Sequence, residues 1–121
     1  MSKVTDALEK ARSDAQALHS KLTTAADHAA IRANARLVAV EAAVLARSVK
    51  ALLDSEKTDT KHHLHDAVSA LEKAAKDAQE AAAATDAHLK EKNLAMRARV
   101  RTAAQQLSEA VAAKRATLVP A

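Results

Sequence analysis

Not one of the 121 residues is glycine. That absence constrains the fold more than any residue present. Two-residue hairpin turns depend on Gly, Asn-Gly or Asp-Gly, so a β-meander or sandwich has no way to reverse its strands. Phosphate-cradling loops and dinucleotide fingerprints are excluded for the same reason. Cysteine and all three aromatic residues are also missing, and the single proline is Pro120. Disulfides, thiolate metal sites and cysteine nucleophiles are therefore ruled out. What remains is dominated by Ala, Leu, Lys, Glu, Gln and Arg, with alanine alone at 34 positions. This is a helix-forming alphabet, and the chain reads as all-α.

The large aliphatics fall in a heptad rhythm. One stripe runs Val4, Leu8, Ala11, Ala15, Leu18, Leu22, Ala25 in alternating steps of four and three. A second runs Ile31, Ala35, Val38, Ala42, Leu45, Val49, Leu52, and a third Leu64, Val68, Leu71, Ala75, Ala78, Ala82, Thr85, Leu89. The pattern continues through Asn93 to Met96, Val100, Ala103, Leu107 and Val111. Such a rhythm keeps one seam facing a partner helix. It slips at His28 and at Asn93, as a stammer and a stutter do. The polar stretch Asp54–Lys61 is the best turn, because Thr58, Asp59 or Thr60 can cap a helix that follows.

These features predict a single helical domain over 1–121: a helix at about 3–53, a turn at about 54–59 and a helix at about 60–118. The two helices form a long antiparallel hairpin with an alanine-rich, coiled-coil-like seam. Each helix would be about 75–80 Å long. Facing pairs include Val49 with Leu64, Val38 with Ala75, Leu22 with Asn93 and Leu18 with Met96. So thin a core is expected to dimerise into a four-helix bundle, burying the adjacent stripe Ala67, Ala70, Ala74, Ala81, Ala84. The alternative is a monomeric up-down-up-down four-helix bundle near 3–22, 25–53, 60–84 and 86–118, with breaks at the capping signals near Thr24 and Thr85. Ala7–Gln16 and Ala70–Gln79 resemble each other at an offset of nine heptads, as a duplicated helical segment would.

Lys and Arg number 19 against 15 Asp and Glu, with both signs mixed in each half. No stretch is long and apolar enough for a membrane span, and the start of the chain lacks the apolar core of a signal peptide, so a cytoplasmic protein is expected. Lys90, Arg97 and Arg101 share a basic helix face that could contact phosphates, but no aromatic is present to stack on bases. His62, His65 and Asp66, with His63 between them, are candidate metal ligands on one turn of helix; a second chain would have to complete the site. His28, placed in a seam, is either a polar layer that fixes register or a pH-sensitive element whose protonation loosens the bundle. His19 and His88 read as surface residues.

No nucleophile and base can be assembled, and no Glu is followed three residues later by His, so an enzyme and a bound cofactor are not expected. The leading expectation is a non-catalytic helical scaffold or interaction protein. It would associate with itself and with a helical partner through the face of Leu37, Val40 and Val44. Its composition and periodicity resemble those of phasins, the coat proteins of polyester granules, though it lacks their aromatic anchors. That resemblance implies an amphipathic coat. A phasin-like coat or nucleic-acid-associated protein using the basic face is thus the alternative, and a metal-binding bundle a further one.

Overall fold

The computed structural model describes residues 3–22, 28–55 and 61–118, and its described residues form four helices without a strand. They are α1 (Lys3–Lys21), α2 (His28–Ser55), α3 (Lys61–Ala83) and α4 (Asp86–Leu118). The single helix expected over 60–118 is therefore not continuous. It breaks at Ala84 and Thr85, where the chain reverses and α4 packs back along α3. The first expected helix likewise ends at Lys21, and its capping signal near Thr24 lies outside the described residues. In helix number and boundaries the chain follows the four-helix alternative.

Side-chain bonds give the directions. Glu80 meets Lys92 while His63 meets Gln106, so α3 and α4 are antiparallel. Gln16 meets Ser108 and Glu9 meets Arg115, so α1 is antiparallel to α4. Arg32, near the start of α2, bonds the carbonyl of Ala84 at the end of α3, so those helices are antiparallel as well. The helices thus alternate up, down, up, down. Each packs on its neighbour in sequence, and α1 closes the ring against α4. Helix α1, with 19 residues against 33 in α4, spans only part of the bundle's length. Its pairing is also slid along α4: Gln16 lies against Ser108, where the hairpin register would have set it near Arg99.

The heptad seams form the core. Leu8, Leu18, Ile31, Val38, Val49, Leu64, Leu71, Leu89, Met96, Val100, Leu107 and Val111 are fully buried, as are Ala15, Ala35, Ala42, Ala78 and Ala103. Ala82 and Thr85, at the end of the third stripe, are exposed. The stripe Ala67, Ala70, Ala74, Ala81 is buried too, but not by a second chain. It lies on the side of α3 that carries His63 and Asp77, the residues that bond α4. Folding α4 back onto α3 covers within one chain the α3 part of the surface for which dimerisation was expected, while Val40 and Val44 on α2 stay exposed.

How the chain turns without glycine is visible in its local bonds. No described residue has a positive φ. Helix α3 tightens into a single 3₁₀ turn, the Ala84 N–H donating to the Ala81 carbonyl at 3.2 Å. Thr85 then starts α4, its carbonyl accepting from the His88 N–H at 3.0 Å. Helix α1 ends the same way, the Leu22 N–H donating to the His19 carbonyl at 3.1 Å.

A core built this way predicts a steep contrast between buried and exposed positions. Leu71→Ala, at a fully buried site, is expected to cost about 2–5 kcal/mol. Val40→Ala, at a site 64% exposed, should leave the urea midpoint almost unchanged. Equal losses in the two variants would contradict the core assignment.

Candidate functional site

The bundle has four outer edges where neighbouring helices meet, and their chemistry differs. Between α3 and α4 the edge is closed by two ion pairs, Lys92 to Glu80 at 2.8 Å and Arg99 to Asp77 at 3.4 Å, and His63 Nδ1 lies 3.3 Å from Glu109. Lys92 donates a hydrogen bond to Glu80 and holds that carboxyl below the usual range, and Glu80 in turn pushes the Lys92 ammonium up. Two of the cations on α4, Lys92 and Arg99, are thus already paired with α3.

Between α1 and α4 the edge is basic. Arg97, half-buried, donates through Nε to the Leu22 carbonyl at 3.2 Å. It thereby satisfies an orphan acceptor at the end of α1, where a cation also complements the helix dipole. His19, half-buried on α1, is held below the ordinary histidine value, first by burial and then by the positive charges of Arg97 and Arg101. Lys90 and Arg101 are exposed. Of the three residues expected to make a phosphate-binding face, Arg97 has a structural task inside the bundle.

Between α1 and α2 lies an open groove of about 580 Å³. Ala7, Ala11 and Ala17 line one wall, and Val40, Val44 and Leu52 the other. Val40 is 64% exposed and Val44 53%. Leu37 packs partly buried against the core, so of the three expected partner-binding residues two line the groove and the third does not. The charged rim is self-compensated, with Lys10 3.1 Å from Asp14 and Lys21 3.6 Å from Glu41. The second carboxylate oxygen of Glu41 is buried without a hydrogen-bond partner. A carboxylate left partly unsatisfied marks this edge as less completely closed than the α3–α4 edge.

The fourth edge, between α2 and α3, opens into a shallow trough floored by alanine. At its end a polar bracket joins α2 to the α3–α4 turn. Arg32 donates to Asp86 at 2.8 Å and to the Ala84 carbonyl at 3.4 Å. His28 Nδ1 stands 3.6 Å from Asp86, whose carboxyl is held below the usual range by the Arg32 hydrogen bond and then by His28. His28 therefore stands beside the Asp86 carboxylate with its ring partly exposed.

The remaining candidates stay apart. His62, His65 and Asp66 are exposed on α3, while His63 turns to Gln106 at 2.8 Å and stacks obliquely with His62. Among the described residues no group of three or more His, Cys, Asp or Glu could hold a metal ion. No helix of the described residues is long and apolar enough to cross a membrane. Sequence reading missed the His19–Arg97–Arg101 cluster and the Arg32 bracket; neither has a local signal, because each joins residues from different helices. Set against known protein families, curated proteins and solved structures, the chain shows no match.

His19 gives the bundle an acid-sensitive joint. Its lowered value means that the unfolded chain binds more protons than the native one just below pH ~6.5. The stability it contributes is complete above that pH and is lost as pH falls through the lowered native value. The urea midpoint of His19→Asn should therefore fall less between pH 7.5 and 5.5 than that of the parent. Arg101→Gln should narrow the same difference in part. Parallel pH profiles for parent and His19→Asn would show that the joint does not exist.

Proposed function

We propose that this chain is a non-catalytic helical interaction module, and that the α1–α2 groove with its Val40–Val44 ridge is where it meets a second copy of itself. The observation that carries this reading is the exposure of those two valines beside an open apolar groove. Large apolar side chains left together at a concave surface mark a contact site more often than a resting surface.

Charge favours a copy of the same chain as the occupant. The rim carries two lysines and two carboxylates, each already paired with its neighbour. It offers no net charge to attract a partner of one sign, and nothing in it repels an identical surface. A two-fold contact requires a patch that complements itself. Ridge and groove lie side by side on α2, so two copies can each set Val40 and Val44 into the groove of the other. A helix ridge seated between two helices is the ordinary geometry of such packing. In this role the bundle is a rigid block that presents helix edges, and its activity is assembly.

Sedimentation equilibrium tests the reading. The parent should show a concentration-dependent mass between one and two chains, and Val40→Lys with Val44→Lys should remain a monolithic single chain with unchanged helicity. Because both side chains are exposed, the variant should melt as the parent does at high dilution. A parent that stays monomeric at every soluble concentration, or a dimer that survives both substitutions, would overturn it.

A further inference from the structure

We propose that the α2–α3 trough is a second, independent docking site, and that it takes an amphipathic helix from a partner protein whose apolar ridge is flanked by carboxylates. The trough has a volume of about 330 Å³ and a floor of Ala43, Ala46 and Ala75. Its banks carry Arg47 and Lys50 on α2 and Lys76 on α3. All three cations are exposed; Lys76 helps to hold the Glu80 carboxyl below the usual range, while Arg47 and Lys50 form no salt bridge with a described residue. Glu72 is the one acid in the lining.

This edge stands apart from the other ion-pair patterns of the molecule. The α3–α4 edge matches Lys92 and Arg99 with Glu80 and Asp77, and the α1–α2 edge matches Lys10 and Lys21 with Asp14 and Glu41. At the α2–α3 trough Arg47 and Lys50 on one bank and Lys76 on the other outnumber Glu72, the one carboxylate of the lining. The floor fixes the shape of the occupant. Alanine allows a backbone to approach closely, and a straight trough between two antiparallel helices accepts the side-chain ridge of a third. The banks fix its charge. The excess of cations, greatest on the α2 bank, calls for acids along the flanks of that ridge, the kind of charge pairing that sets partner choice in helical assemblies. A second copy does not meet this demand, since each of the four helices mixes both signs along its length. The occupant is therefore a different, acidic helix.

The test uses the full chain and two synthetic helical peptides. Both carry an Ala/Leu heptad seam; one is flanked throughout by Glu and the other by Lys. Binding is followed by amide chemical shifts and by fluorescence anisotropy of a labelled peptide. The acidic peptide should bind, shift the amides of Ala43, Ala46 and Ala75, and weaken about tenfold or more as salt rises from low to physiological strength. The charge reversal Arg47→Glu, Lys50→Glu, Lys76→Glu should abolish that binding and confer binding of the lysine peptide. Val40→Lys with Val44→Lys should leave it intact, which separates this site from the self-association groove. Equal binding of both peptides, acidic binding that survives the reversal, or shifts confined to α1 and α4 would overturn the proposal. So would a phosphatidylglycerol vesicle or a DNA duplex that engages the same three cations while the acidic peptide does not.

Discussion

One guanidinium brackets the reversal on which the order of half the chain depends. Arg32 holds the Ala84 carbonyl, an acceptor orphaned where α3 stops, and the Asp86 carboxylate, which opens α4. Helices that reverse direction commonly place glycine at the end, in the left-handed conformation. This chain has no glycine and turns without a positive φ among its described residues. It ends α3 with a tightened turn and supplies the missing partner from a neighbouring helix. Were α3 and α4 one continuous rod, Ala67, Ala74 and Ala81 would face water. The reversal turns them inward against α4, and the up-down-up-down order follows from it.

Alanine is the second determinant. Its side chain has no rotamer freedom to lose, so burying it costs little entropy, but it also contributes little apolar area. The bundle compensates with number, interleaving Ala35, Ala42, Ala74, Ala78 and Ala103 with a smaller set of fully buried leucines and valines. The absence of aromatics fits this scheme, because a large ring has no room where backbones lie close. With little apolar surface to spare, the edges of the bundle are closed largely by charged side chains. Differences in charge pairing among those edges are what give the molecule distinct faces.

The seams were legible in the sequence because burial on a helix repeats with its own period. Leu8, Leu18, Val38, Leu64, Met96 and Leu107 could be assigned to the core from spacing alone, and all are buried. The break at Thr85 left a trace as well, a capping residue beside a slip in the heptads. The choice between a bend and a full reversal was not legible. The reversed turn is bonded by Arg32, 54 positions away from Asp86, and long-range bonds leave no local pattern. The same holds for His19. Its surroundings come from the sliding of α1 along α4, which no periodicity within either helix encodes. Val40 and Val44 were recognisable as apolar residues off the main seam, but not as one wall of a groove, because the opposite wall belongs to α1.

The closing of the ring by α1 has a kinetic consequence. Every helix meets its neighbour in sequence across a short connection, whereas α1 also bonds α4 across 92 residues at Gln16 and Ser108. Loop-closure entropy makes the local pairs cheaper to form early, and the contact joining the two extremities comes last. The same contact is then the first to come apart when the native molecule fluctuates. Helix α1 is in this sense a clasp on a three-helix block: its amides belong to the least protected unit of the molecule. The groove it shares with α2 is accordingly a surface whose width breathes with the opening of that clasp.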